Sequence, residues 1–163
     1  MSSQLQMPEL ETLESDLYDH LAVQLRSLLA GESDLIANAA NFSSLIFHTL
    51  PDLNWAGLYF LKNGELVLGP FQGQPACVRI EIGKGVCGAA AGRRETLVVP
   101  NVHEFPGHIA CDSASNSKIV VPVVKEGDLI AVLDLDSPRL NRFDEQDAKG
   151  LEHLARIFAE SIS

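Results

Sequence analysis

Two apolar runs joined by a short turn decide how this chain folds: Ile119-Val120-Val121-Pro122-Val123-Val124, then Glu126-Gly127-Asp128, then Leu129 to Asp136. Runs of this length, rich in β-branched residues and bounded by turn residues, are typical of strands. The turn is short enough to join antiparallel neighbours, so the two strands are expected to pair as a hairpin. They are the last two strands of the predicted sheet.

The same kind of pattern begins upstream, at Asn54. Side chains on successive strand residues point to opposite faces, which separates two sets of three. One set is Trp55, Gly57 and Tyr59, and the other is Ala56, Leu58 and Phe60. Asn63-Gly64 is a strong signal for a two-residue hairpin turn. Three shorter strands are expected in this region, at Glu65 to Gly69, Cys77 to Ile82 and Thr96 to Val99. A short helix of small residues is expected at Val86 to Ala91, directly after Gly83-Lys84-Gly85.

Helical periodicity marks the first third of the chain. Leucines recur at three- and four-residue spacing from Leu10 to Leu28, which places them on one face of an amphipathic helix. Gly31 is expected to end this helix. A second helix is expected to begin near Ser33 or Asp34 and to stop at Pro51, because the residue before a proline disfavours helical geometry.

The last helix and the order of the elements define the fold class. Asp144 is the expected N-cap of this helix, whose apolar face carries Leu151, Leu154, Phe158 and Ile162. The order of the elements, which is helices, then hairpin strands, then a helix, predicts an α+β fold. In this fold a central antiparallel sheet has the N- and C-terminal helices packed on one face and pocket-forming loops on the other. Within a single domain of residues 1–163, the expected bounds are about 9–50 for the N-terminal helices, about 54–136 for the sheet and site loops and about 144–162 for the C-terminal helix.

Composition and charge exclude several functional classes. The chain has 163 residues, enough for one domain with a hydrophobic core, and its formal net charge is −10. Such an acidic chain is expected to bind neither nucleic acid nor an anionic membrane surface, since both attract clusters of Lys and Arg. No apolar run approaches the roughly 20 residues of a membrane span, and Met1-Ser2-Ser3-Gln4 does not resemble the start of a secretion signal. The expected location is cytoplasmic.

Two carboxylates interrupt the apolar pattern of the last strand. Asp134 and Asp136 share one face of a strand that otherwise carries Leu, Ile, Ala and Val. A carboxylate without a partner in apolar surroundings costs several kcal/mol or takes up a proton. The pair therefore implies a partner, which is either a set of protein donors or a cationic ligand. The alternative is that both residues cap the strand end near Ser137-Pro138-Arg139.

Three cysteines, Cys77, Cys87 and Cys111, are candidates for chemistry. A reducing cytosol keeps thiols free, catalytic or metal-bound. Their long spacing lacks the close Cys-x-x-Cys pairs of structural zinc sites, so no metal and no cofactor are expected. Burial as a small hydrophobic residue suits Cys87 among its alanines. Cys111 lies in a polar loop beside Asp112 and is the candidate reactive thiol, which His108 could assist; the alternative for a lone histidine is a structural role.

Trp55 and Tyr59 form a third candidate feature. On either side of Gly57, their rings are expected to wall an aromatic hollow on one face of the first strand. Such a hollow suits an apolar or sulfur-bearing group, or a cation held over the ring face. The alternative is that both rings are ordinary core residues.

Five stretches of the chain resemble the free methionine-(R)-sulfoxide reductases, which are GAF-fold enzymes. They are Asn54-Trp55-Ala56-Gly57-Leu58-Tyr59, Leu68-Gly69-Pro70-Phe71-Gln72-Gly73, Gly85-Val86-Cys87-Gly88, Phe105-Pro106-Gly107-His108-Ile109-Ala110-Cys111-Asp112-Ser113 and Val132-Leu133-Asp134-Leu135-Asp136-Ser137. The resemblance runs from about Leu28 to the C-terminus and keeps all three cysteines in register. It implies that residues 1–163 form a single GAF domain.

The resemblance also implies an activity, the reduction of free rather than peptide-bound L-methionine (R)-sulfoxide. By analogy, Cys111 attacks the sulfoxide sulfur and is left as a sulfenic acid when methionine leaves. Cys77 matches the family's main resolving cysteine and Cys87 matches a second one. The resolving thiol condenses with the sulfenic acid to a disulfide, and thioredoxin reduces that disulfide.

Substrate-binding residues are implied in the same way. Trp55 and Tyr59 match the wall around the methyl group of the substrate. Asp134 and Asp136 match carboxylates that contact the substrate and its polarised oxygen. Lys118 departs from the family's pattern, because the family usually has Glu there, and that carboxylate is thought to help bind the substrate or polarise the sulfoxide.

Lys118 leaves several interpretations open. The strand register that places Val120 inward also favours an inward Lys118, whereas the alternative is a side chain that reaches solvent. The reversed charge is compatible with an impaired enzyme, an altered ligand or a locally rewired site. A non-catalytic GAF module that binds a small molecule is therefore the alternative function. A homodimer scaffold built on the N-terminal helices is a further alternative.

Overall fold

The computed structural model describes residues 7–108 and 114–163. Its four α-helices are α1 Met7–Leu29, α2 Leu35–Thr49, α3 Gly85–Arg93 and α4 Glu145–Ser161. Its six strands are β1 Trp55–Lys62, β2 Glu65–Gly73, β3 Arg79–Glu81, β4 Leu97–Val99, β5 Ser117–Lys125 and β6 Asp128–Ser137. A short 3-10 helix, Val102–Glu104, was not expected from the sequence. Within the described ranges, no helix has both the length and the apolar character that crossing a membrane requires.

The six strands form one antiparallel sheet in the order β3-β2-β1-β6-β5-β4, which confirms the predicted α+β class. β5 and β6 pair as the expected hairpin, in a register that sets Lys118 opposite Asp136 and Val120 opposite Asp134. β1 is the other neighbour of β6, and there Trp55 lies opposite Asp136. The pairing of β1 with β6 therefore places residues that are about 80 positions apart in the chain directly opposite each other.

Alternation along β1 divides the sheet into two faces, as the sequence predicted. Ala56, Leu58 and Phe60 belong to a core shared with α1, α2 and α4, in which Phe42 and Phe158 stack with ring centroids 5.2 Å apart. Burying side chains of this size contributes about 1.5–3 kcal/mol each. The other face carries a smaller core that includes α3: its members include Trp55, Tyr59, Val86, Cys87, Ala90, Val120 and Val132. The functional candidates lie on this second face.

Local capping interactions set the helix ends where the sequence predicts them. Asp34 caps α2, because its side chain accepts a hydrogen bond from the backbone N–H of Ala37 at 2.9 Å. Asp144 caps α4 in a reciprocal arrangement with Asp147, each side chain accepting from the other's backbone N–H. Gly31, with φ of 81°, follows the end of α1 and reverses the chain there.

The segment before β3 is a loop rather than part of the strand expected at Cys77 to Ile82. β2 pairs with β1 along its length, from Glu65 opposite Lys62 to Gly73 opposite Trp55, so β2 is longer than expected. Its first three residues also pair with β3. Two side chains of β1 hold this loop. The Trp55 indole donates to the carbonyl oxygen of Gln74 at 3.0 Å, and the Tyr59 hydroxyl donates to that of Cys77 at 3.0 Å. The loop therefore lies against the second face of the sheet.

Candidate active site

A cavity lies on the second face of the sheet, under α3. Its lining residues come from β1, β5, β6, α3, β3 and the neighbouring loops: Trp55, Tyr59, Pro75, Ala76, Ile80, Lys84, Gly85, Val86, Cys87, His108, Lys118, Asp134 and Asp136. The sequence-predicted site residues in this wall are Trp55, Tyr59, Cys87, Lys118, Asp134 and Asp136. The free space is about 30 Å³, room for about two water molecules.

One wall of the cavity is aromatic. The rings of Trp55 and Tyr59 stack with centroids 6.0 Å apart, and Trp55 also stacks on Phe71 at 5.2 Å. Both rings are at least 98% buried. Because their polar atoms are bonded to Gln74 and Cys77, they present apolar surface to the cavity. Gly57 makes this packing possible, since a Cβ there would lie 2.8 Å from the Trp55 ring.

The opposite wall is ionic. Asp134 and Asp136 are buried on the cavity face of β6, which confirms that they share one face. Lys118 points inward from β5, and its Nζ donates to Oδ1 and Oδ2 of Asp134 at 3.1 and 3.2 Å. The same Nζ lies 2.9 Å from Oδ1 of Asp136, which makes an ion pair although the angles are not those of a hydrogen bond. Lys118 is therefore the partner that the two carboxylates were expected to need.

Burial and the close charges shift the pKa values of this group. Burial and the charge of Asp134 raise the pKa of Asp136 from 3.8 to about 7, although Lys118 opposes that rise. Burial by itself lowers the pKa of Lys118, but attraction to Asp134 and Asp136 outweighs it and holds the pKa well above its usual value. Lys118 is thus a permanent ammonium, and Asp136 is the member of the group that exchanges a proton near neutral pH.

The three cysteines occupy different environments. Cys87 on α3 is a free, buried thiol in the cavity wall, and burial together with the charge of Asp134 raises its pKa. A thiol of raised pKa is a poor nucleophile at neutral pH. Cys77 is disulfide-bonded and sits in the loop that Tyr59 holds. Cys111 lies outside the described residues, so its role stays a prediction.

Of the residues that flank the 109–113 segment, His108 reaches the cavity, and Ser115 and Asn116 are bonded to the ends of the central strands. His108 lines the cavity, and burial together with the charge of Lys118 lowers its pKa, which leaves the imidazole neutral at neutral pH. Ser115 is buried, and its hydroxyl accepts a hydrogen bond from the Asn54 side-chain amide at 3.2 Å. Asn116 is anchored to the end of β6, since its backbone N–H donates to the carbonyl oxygen of Ser137 at 2.8 Å.

Apart from Cys87, sequence reasoning missed the part of the cavity wall that α3, the turn before it and the loop before β3 supply. A signal was present in the glycines around the start of α3. Gly85 has φ of 63°, which favours glycine. A Cβ at Gly88 would lie 3.1 Å from the backbone nitrogen of Gly83, so glycine lets α3 approach the preceding turn. The close approach brings Lys84 and Val86 to the cavity.

Comparison with known proteins shows the class of domain to which the chain belongs. The family model described as GAF domain matches residues 15–162. The chain is 49% identical over 140 residues to the free methionine-R-sulfoxide reductase of Escherichia coli, covering 86% of this chain and 85% of that protein. It is 42% identical over 154 residues to the enzyme of that name from Saccharomyces cerevisiae, covering 90% and 86%. The X-ray structure of free methionine-R-sulfoxide reductase from Neisseria meningitidis, in complex with its substrate, superposes with a TM-score of 0.88 at 40% identity, covering 99% of this chain and 93% of that chain.

A six-stranded antiparallel sheet flanked by helices, together with the family match, defines a GAF domain. Within that class, the chain belongs to the family of the free methionine-R-sulfoxide reductases. The resemblance stated from the sequence is thereby confirmed at the level of fold and family. The alternative of a non-catalytic GAF module is not favoured by these similarities.

Proposed function

We propose that this protein reduces free L-methionine (R)-sulfoxide to L-methionine. The observation that carries the proposal is the cavity itself, which joins an apolar aromatic wall to a buried ionic wall in a member of the reductase family. The S-methyl end of the substrate suits the faces of Trp55 and Tyr59, because sulfur and methyl groups pack favourably on aromatic rings. The polar atoms of the substrate are then directed to the wall that holds Asp134, Asp136 and Lys118.

The proposed chemistry is a two-electron transfer between sulfur atoms. The Cys111 thiolate attacks the sulfoxide sulfur, an S–S bond forms, and the S–O bond breaks as the oxygen takes up two protons and leaves as water. A water molecule then attacks the Cys111 sulfur, the S–S bond breaks, methionine leaves and one proton is released, so the net uptake is one proton. Cys111 is oxidised to a sulfenic acid and methionine sulfoxide is reduced to methionine. Asp136, whose pKa is raised to about 7, is a candidate donor of that proton. His108 is a candidate base for the thiol, since its lowered pKa leaves the imidazole neutral.

A second cysteine is proposed to return the enzyme to its starting state. The Cys77 thiol condenses with the Cys111 sulfenic acid, which forms a disulfide and releases water. Thioredoxin then reduces this disulfide to two thiols and becomes oxidised itself. Cys87 is the proposed secondary resolving thiol, disfavoured by its burial and raised pKa. We expect the reaction in the cytoplasm, where thiols are kept reduced.

Thioredoxin-coupled oxidation of NADPH with free methionine sulfoxide tests the proposal. We expect turnover with the R epimer and formation of an equal amount of methionine. The S epimer is the matched control, because it presents its oxygen and methyl group in exchanged positions to the same cavity. No methionine from the R epimer in the presence of thioredoxin, or equal rates with the two epimers, would contradict the proposed function.

A further inference from the structure

The ammonium of Lys118 fills a position that a cationic ligand would otherwise take. It lies 2.9–3.2 Å from oxygens of both buried carboxylates. Only 13% of its side chain is exposed. Two carboxylates on a buried wall attract a cation, and here the chain supplies that cation itself. One of the two negative charges of the pair is therefore already compensated before any ligand binds.

This arrangement opposes a ligand that brings its own ammonium group. An ammonium that approaches Asp134 or Asp136 meets the like charge of Lys118 at close range, in surroundings where burial weakens screening. The Lys118 ammonium is held at this position by its contacts to both carboxylates. A ligand without an ammonium group avoids this repulsion.

We infer that Lys118 is a specificity-determining residue that widens the substrate range of this site to small methyl sulfoxides lacking an ammonium group. The class is represented by (R)-4-(methylsulfinyl)butanoate, which is methionine sulfoxide with hydrogen in place of the α-ammonium. This inference rests on the proposed function in one respect only, which is the choice of methyl sulfoxides as the class of ligand. The electrostatic repulsion of a ligand ammonium depends only on Lys118, Asp134 and Asp136.

Binding is measured through Trp55, which is the single tryptophan of the chain and lies in the cavity wall. The purified protein is titrated with L-methionine (R)-sulfoxide and with (R)-4-(methylsulfinyl)butanoate, and tryptophan emission gives a Kd for each. We expect the Kd of the analogue to be no more than about threefold above the Kd of the amino acid. A Kd of the analogue that exceeds this limit would overturn the inference, and this test needs no variant.

Two lysine variants sharpen the test. Lys118→Met removes the charge at similar length, so the ratio of the two Kd values should move by about tenfold toward the amino acid. Lys149→Met is the matched control, because Lys149 is exposed on α4 and lies outside the lining of the cavity. Its ratio should stay at the wild-type value. Equal ratios in all three proteins would contradict the role of Lys118.

Turnover separates this inference from the proposed function. If both ligands bind in the expected ratio but neither is reduced in the presence of thioredoxin, the proposed function fails and the specificity role of Lys118 stands. If methionine sulfoxide is reduced while the analogue neither binds nor reacts, the inference fails and the proposed function stands.

Discussion

Lys118 and Asp136 are cross-strand partners in the β5–β6 hairpin, and the Lys118 Nζ lies 2.9 Å from Oδ1 of Asp136. The same ammonium bonds both oxygens of Asp134. Removing one partner of a buried ion pair leaves an uncompensated charge, which typically costs about 3–5 kcal/mol. This three-residue group therefore links the stability of the central sheet to the electrostatics of the cavity.

Lys118→Glu should raise kcat/KM for free L-methionine (R)-sulfoxide by about tenfold or more. Two like charges about 4 Å apart cost on the order of 4 kcal/mol at an effective dielectric near 20, and the substitution removes that repulsion of the substrate ammonium. The measurement is thioredoxin-coupled NADPH oxidation over a range of substrate concentrations. Lys84→Glu on the same cavity is the control, and equal efficiencies for wild type and Lys118→Glu would contradict the prediction.

Cys111→Ser should abolish methionine formation. A serine hydroxyl is a weak nucleophile and has no sulfur to be oxidised to a sulfenic acid. Quantifying methionine after mixing reduced protein with the R sulfoxide checks this directly, without thioredoxin. Cys87→Ser is the control, because the buried Cys87 thiol is predicted not to attack the substrate. Full turnover by the Cys111 variant would move the nucleophile elsewhere in the chain.

Cys77→Ser should keep a single turnover and lose most of the thioredoxin-supported cycling. A resolving thiol acts after methionine has left, so burst and steady-state rates should separate in this variant. Cys87→Ser should cycle nearly normally. Some residual cycling of Cys77→Ser through Cys87 is expected, whereas unchanged cycling in the double variant would rule out resolution by either cysteine.

Asp136 should make the free energy of unfolding fall as pH rises from about 4 to about 7. Its pKa is about 7 in the folded protein and 3.8 ordinarily, so in this interval the folded state holds more protons than the unfolded state. At roughly 1.4 kcal/mol per pH unit, urea unfolding at about pH 5 and about pH 8 should differ by about 2 kcal/mol more in wild type than in Asp136→Asn. Asp16→Asn on the surface of α1 is the control, and an Asp136→Asn profile parallel to wild type would refute the assignment.

Gly57→Ala should destabilise the fold and weaken substrate binding together. The added Cβ would lie 2.8 Å from the Trp55 ring and would also meet the side chain and backbone of Phe71, where little room exists to move. Overpacking of this kind costs about 1–3 kcal/mol. The checks are the urea midpoint and the KM for the R sulfoxide. Gly64→Ala, at a turn glycine with open space around it, should lose stability through its backbone but keep its KM.

Much of the fold could be predicted from local patterns. Alternation from Asn54 separated the two faces of β1, and the Asp34 and Asp144 caps marked the starts of two helices. The extents of β2 and β3 could not be predicted in the same way. Where a strand ends depends on the neighbour that is available to pair with it, and the bonds from Trp55 and Tyr59 to the adjoining loop are set by tertiary packing.

The candidate site, like the fold, could be predicted only in part from local patterns. By itself, the sequence determined that Asp134 and Asp136 share a face and need a partner, because a period of two and the cost of a buried charge are properties of any strand. Only the tertiary structure decided that the partner is Lys118, since the ion pair requires the register of β5 on β6 that sets Lys118 opposite Asp136. Pairing between strands is a long-range choice made by the whole core, so no local pattern encodes it.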